Sequence, residues 1–91
     1  MVRLRLYGEI AYRLKVREVE LKGAGKKVID VLREFAERYG VKDLLFRDDK
    51  VRPEYLILIE GRDYRSLGLL GKVIECEDVE IKIVPTFHGG S

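Results

Sequence analysis

The 91-residue sequence contains no tryptophan, no asparagine and no glutamine, and it has one cysteine, one histidine and two prolines. A single cysteine, Cys76, excludes an internal disulfide and any metal site built from several thiolates. Its neighbours Glu75 and Glu77 disfavour the thiolate, so a small buried hydrophobe is the expected role. The lone histidine, His88, stands beyond the last strand-like stretch. With no second histidine and no cysteine beside it, a compact metal centre is not expected. No apolar run approaches the roughly 20 residues that cross a bilayer. Arg3 and Arg5 break the first apolar stretch, so neither a signal peptide nor a membrane partner is expected, and the expected location is cytoplasmic. Asparagine and glutamine are thermolabile, and their replacement by charged residues suits a protein of high-temperature origin.

Charge of one sign is also lacking. The net charge is +2 with 37% charged residues, and no run of like charge interleaves with aromatics. Arg3, Arg5, Arg13 and Arg17 make the N-terminal part locally basic, but Glu9, Glu18 and Glu20 interrupt it. A solvated strand face is expected there, and no nucleic-acid partner. Catalytic motifs are missing as well. Gly23-Ala24-Gly25-Lys26-Lys27 lacks the spacing and the hydroxyl of a phosphate loop. Ser66 and Ser91 lack the strand-to-helix elbow of a hydrolase nucleophile.

What is present suffices for one domain with one core. Residues 2–7 alternate, with Val2, Leu4 and Leu6 on one face, and read as a strand. Residues 9–14 read as a continuation of that strand or a turn out of it. A second strand at 16–21 points Val19 and Leu21 inward, and a hairpin with the first is the economical pairing. Val28, Val31, Leu32, Phe35 and Tyr39 recur at helical spacing and mark the one good helix, 28–39. Gly40 is placed to cap its end, whereas Lys27 is a poor N-cap, so a frayed start is expected. Residues 41–54 connect, with Leu44, Leu45 and Phe46 as anchors.

Residues 55–60 form a third strand whose five apolar residues cannot all face one helix. One parity, either Leu56 and Leu58 or Tyr55, Ile57 and Ile59, is left for the other side, where a partner could cover it. Glu60-Gly61-Arg62-Asp63 reads as a reverse turn. A minor strand is expected around Val73–Cys76, and a last one at 79–84 with Val79, Ile81 and Ile83 inward. Pro85 stops the sheet. The result is a two-layer α+β domain: a mixed sheet of four to five strands with one main helix on one face.

The remaining feature is the end of the sequence. Gly89 and Gly90 have no side chains, so extended backbone there can thread a narrow channel in a partner. Phe87 can anchor the segment at the channel mouth. A glycine carboxylate becomes electrophilic once adenylated, with every catalytic group supplied by the partner. An ordinary terminus without function is the alternative.

From end to end the chain resembles the ubiquitin-like sulfur carriers of the MoaD and ThiS type, which include the small subunit of molybdopterin synthase and the small archaeal modifiers. The resemblance rests on the alternating first strand, the helix near Val28–Tyr39 and the turn Glu60-Gly61-Arg62. Its most specific part is the closing block Glu77-Asp78-Val79-Glu80-Ile81-Lys82-Ile83-Val84-Pro85, followed by Thr86-Phe87-His88-Gly89-Gly90. It implies a β-grasp domain over 1–85 and a flexible tail over 86–91. It implies that Gly90 is adenylated and converted to a thiocarboxylate, with Gly89 as its small neighbour. It implies no cofactor bound by this chain, ATP used by an E1-like adenylating enzyme, and no catalysis by this chain alone. The large subunit of molybdopterin synthase would be a further partner, met through Phe87, His88, Ile57, Leu58, Ile59 and Val84. The sequence departs from the family at Ser91, which must be removed to free the Gly90 carboxylate. Two other readings stay open: a protein modifier joined to lysines, and an interaction module without tail chemistry.

Overall fold

The computed structural model describes residues 1–86. Strand β1 (Val2–Leu6) buries every second residue, as its alternation requires. The next segment departs from expectation, because residues 8–14 form a helix, α1 (Gly8–Leu14). Ile10 is buried, and Ala11 and Leu14 pack partly against the core, which is helical spacing on one face. Two turns with no side-chain N-cap give too short a period to separate from a strand. Lys15 ends α1 in the left-handed region and donates its N–H to the Ala11 carbonyl at 2.8 Å. Strand β2 (Glu18–Leu21) then pairs antiparallel with β1, Val2 opposite Leu21. The pairing matches the sequence reading, but a helix joins the two strands in place of a tight turn.

The main helix α2 (Val28–Tyr39) has the expected bounds and buries Val28, Val31, Leu32, Phe35 and Ala36. Gly40, at φ 70°, caps its end. Its start is tied down, contrary to the frayed N-terminus expected. Lys27 offers no side-chain cap, but Val28 N–H donates to the Lys72 carbonyl at 3.0 Å and Ile29 N–H to that of Leu70 at 2.8 Å. A distant loop thus satisfies amides that a local cap usually serves.

A short helix α3 (Lys42–Leu45) leads into a two-stranded ribbon, β3 (Phe46–Arg47) and β4 (Lys50–Val51). Leu45 and Phe46 are buried and Leu44 packs against the core, as anchors should. Strands β5 (Tyr55–Ile59) and β6 (Arg62–Asp63) form a hairpin around Glu60 and Gly61. Both central residues have positive φ, 51° and 77°, as a two-residue hairpin loop demands.

Residues 73–76 do not form the minor strand expected. A single bridge joins Val73 to Lys27, and Ile74 exchanges backbone hydrogen bonds with the loop before α2 at 2.8 Å. The segment therefore straps the start of α2 instead of extending the sheet. Ile74 is buried beneath it, while Cys76 is exposed, which corrects the buried role expected for the cysteine. The strand periodicity that would have turned Cys76 inward with Ile74 is absent.

Strand β7 (Val79–Pro85) completes a five-stranded mixed sheet of order β2-β1-β7-β5-β6. The first and last long strands are parallel neighbours at its centre. Leu4, Leu6, Ile57, Ile81 and Ile83 from the sheet meet Leu32 and Phe35 of α2 in one core. Among the described residues no polar or charged side chain is buried.

Candidate functional site

The sheet has one covered face and one open face, and the chain leaves it from the central strand. Register places β1 beside β7 only as far as Ile83, opposite Leu6. Val84 and Pro85 pair with β5 alone, opposite Leu56 and Tyr55. Pro85 therefore sits where no β1 carbonyl waits for an N–H, so a proline is tolerated in a central strand. Past it, Thr86 turns onto the residue before β5. Its N–H donates to the Glu54 carbonyl at 2.7 Å, and its hydroxyl donates to the same oxygen at 2.9 Å. Gly8, the first residue of α1, packs against the Pro85 ring. Pro85 and Thr86, the last described residues, are thus held from two sides.

On the open face the side chains of β5 and β7 sort by polarity. Leu56 stands opposite Val84, and Leu58 opposite Lys82. Further across, Arg5 lies between Lys82 and Glu18, and Arg3 between Glu80 and Glu20. Arg5 approaches Glu18 at 3.6 Å. The Arg5 guanidinium is held above its usual value, first by a hydrogen bond with Tyr7. The apolar end of this face, Leu56 and Val84, is the end from which the chain departs. Arg5 and Lys82 are like-charged neighbours, but Glu18, Glu20 and Glu80 set opposite charges beside Arg5 and Arg3 on neighbouring strands, a pattern that keeps a sheet surface wet.

The apolar residues of the third strand divide cleanly. Ile57 and Ile59 are 0% and 4% exposed and belong to the core, together with Tyr55. They cannot meet a partner, which corrects the expectation drawn from the resemblance. Leu58 and Val84 are half-buried on the open face, with Leu56 alongside. The inward parity follows α2, whose stripe needs the larger set of three. Phe87, His88, Gly89, Gly90 and Ser91 lie outside the described residues.

Polar groups nearby hold backbone in place. Asp63 accepts from Ile57 N–H at 3.0 Å and Arg65 N–H at 3.2 Å, and Ser66 donates its hydroxyl to the other oxygen. Burial alone would raise this carboxyl, but those donors outweigh it and keep it below its usual value. Beside the departing chain, an open hollow of about 490 Å³ is lined by Glu9, Asp43, Arg52, Glu54, Tyr55 and Pro85, among others. Arg13 forks onto Asp43 at 2.9 and 3.1 Å and lowers the affinity of that carboxyl for a proton. Burial, then Glu9 and Glu54, push the Tyr55 phenol up. Among the described residues no three histidine, cysteine, aspartate or glutamate side chains group to hold a metal ion. No described helix is long and apolar enough to cross a membrane.

Nothing in the residue pattern signals the Thr86–Glu54 and Gly8–Pro85 contacts. Both pair residues far apart in the chain, and neither alters a periodicity.

No family model and no curated protein matches this sequence. Solved structures do. The chain is similar to the small archaeal modifier protein 1 of Methanosarcina acetivorans, at 27% identity over 98% of this chain and 95% of that one, with a TM-score of 0.78. It is similar to a chain of the BexX/CysO complex of Amycolatopsis orientalis at 22% identity, covering 99% and 100%, with a TM-score of 0.75. The small archaeal modifier protein 1 of Haloferax volcanii follows at 20% identity, 98% of each chain and a TM-score of 0.73. At 22% and 20% identity the last two likenesses bear on the fold.

Proposed function

We propose that this chain, which has the β-grasp fold of the ubiquitin-like modifiers and sulfur carriers, works by presenting Gly90 to an E1-like adenylating enzyme. Removal of Ser91 frees the Gly90 carboxylate. That carboxylate attacks the α-phosphate of ATP bound by the enzyme, forming an acyl-adenylate and releasing pyrophosphate. A sulfur nucleophile then displaces AMP and leaves a thiocarboxylate, which the chain carries to an acceptor. The small-subunit role in molybdopterin synthase, with the large subunit seated on Leu58, Val84 and Phe87, is the finer form of this reading.

The observation that carries it is the anchored exit at Pro85 and Thr86, followed in sequence by Phe87-His88-Gly89-Gly90. From a fixed root, four residues reach at most about 13–14 Å at full extension. That suffices to enter a partner's nucleotide pocket while the folded domain stays outside. Gly89 and Gly90 add no side chains to the passage. The likeness to proteins named as modifiers favours a second reading, in which a lysine amine displaces AMP and an isopeptide bond results.

Mass spectrometry of the protein recovered from its own cells tests both. Loss of Ser91 with one oxygen replaced by sulfur supports carriage. Gly-Gly remnants on lysines of other proteins after digestion support modification. Ser91 retained in every pool overturns both.

A further inference from the structure

Of the basic residues that the sequence scatters through its first 17 positions, Arg5, Arg13, Lys15 and Arg17 line two hollows around α1, while Arg3 stays on the sheet between Glu80 and Glu20. We propose that this surface is a docking site for an acidic protein segment carrying apolar side chains, apart from the apolar end of the open sheet face at Leu56, Leu58 and Val84 and independent of the tail chemistry. Two shallow hollows adjoin there. One runs between Arg5, Tyr7 and Arg17, the other between Tyr12, Lys15 and Arg17, and both have Ala11 in their floor. Arg17 lines both. Tyr12 is 84% exposed and Val16 42%, both on the rim of the second hollow, and Tyr7 borders the first at 36%. Exposed apolar surface of this kind, gathered and ringed by charge, marks a contact surface.

The charges decide the occupant. Arg5 faces Glu18 and Arg13 grips Asp43, so part of the basic character is already matched. Glu9 lies on the same helix and Glu18 beside Arg17 in sequence. Among the described residues neither Lys15 nor Arg17 pairs with a carboxylate in an ion bridge. Two uncommitted cations are too few for a nucleic-acid backbone, which is gripped through many phosphates at once. They fit a short acidic segment whose apolar side chains settle into the two hollows beside the tyrosines, with carboxylates meeting Lys15 and Arg17.

A labelled peptide in which aspartates flank two leucines serves as the probe. Its controls are the same peptide with lysines for aspartates, and a single-stranded RNA oligonucleotide. Backbone amide shifts of the full chain are followed during each titration, with fluorescence anisotropy for affinity. The acidic peptide is expected to shift the amides of Tyr12, Lys15 and Arg17 and to bind more weakly as salt rises. The double variant Lys15→Glu with Arg17→Glu is expected to weaken it about tenfold or more. Tyr12→Ala, at a side chain 84% exposed, should weaken binding while leaving the denaturation midpoint nearly in place. Equal binding of the lysine peptide, tighter binding of the RNA, shifts confined to Leu56, Leu58 and Val84, or no shift at all would each overturn the proposal.

Discussion

A side chain built on Gly8 would put its first carbon 2.6 Å from Cγ of Pro85, so the residue that opens α1 and the residue that ends β7 meet with no room between them. Gly8 also holds φ at 66°. Both conditions select glycine: the left-handed backbone costs other residues about 1–2 kcal/mol, and forcing carbon into a filled contact costs about 1–3 kcal/mol more. Gly8→Ala should therefore destabilise the domain by about 2–5 kcal/mol in urea unfolding. Gly61→Ala supplies the comparison. Its φ is 77° but nothing lies within 4 Å of the added carbon, so only the backbone cost of about 1–2 kcal/mol applies. Equal losses at the two sites would show that the proline contact carries no weight.

Neighbouring residues of β5 should give opposite outcomes. Ile57 is fully buried against α2, whereas Leu58 lies half-buried on the open face, opposite Lys82. Ile57→Asp places a carboxylate in a core that holds no polar partner and should unfold the domain. Leu58→Asp should leave the far-ultraviolet circular dichroism and the unfolding midpoint nearly unchanged while weakening a complex with a partner seated on the open face, as the large subunit is in the finer reading proposed above. Loss of fold in both variants would mean that the open face is structural.

How much of this was legible beforehand follows from what sequence periodicity can carry. The stripe Val28, Val31, Leu32, Phe35 and the alternation of β1 and β7 are local, so α2 and the central strands were readable from residues alone. The inward parity of Tyr55, Ile57 and Ile59 was not, because five consecutive apolar residues fit either choice until α2 is laid over the sheet. Helix α1 was missed for want of length. The capping of α2 by the Leu70 and Lys72 carbonyls, and of the chain's exit by Glu54, are long-range backbone contacts with no side-chain signature. Gly89 and Gly90 stood out in the sequence, while the structure contributes the root from which they extend.

Acid should weaken the fold partly through Asp63. Donors from Ser66, Ile57 and Arg65 keep its folded-state pKa below the unfolded value of about 3.9. Its contribution is then full above the unfolded value and is lost as pH falls through the folded one. Asp63→Asn should cost about 1–3 kcal/mol at neutral pH and flatten the stability profile below about pH 4. Asp43 and Glu34 are also depressed by their Arg13 and Lys26 partners, but they sit at the surface. High salt screens those pairs and leaves the Asp63 component. An Asp63→Asn profile parallel to that of the parent chain in high salt would remove Asp63 from the account.

Thr86 should govern how readily the tail is found. Both of its donors end on the Glu54 carbonyl, and in the reading proposed above an activating enzyme meets, while they hold, a chain whose root is already placed. Releasing them leaves one more residue to order on binding, about 1–2 kcal/mol of backbone entropy, which corresponds to roughly a 5- to 30-fold rise in KM for adenylation. Thr86→Pro removes both donors and should show the full rise. Thr86→Val keeps the N–H and should show a smaller one. Because the Gly90 carboxylate proposed to react lies four residues on, kcat should hold in both variants once the enzyme is saturated, as expected when only binding is lost. A fall in kcat with KM unchanged would instead mean that the clamp shapes the tail inside the enzyme, and unchanged kinetics in the proline variant would mean that the root has no part in recognition.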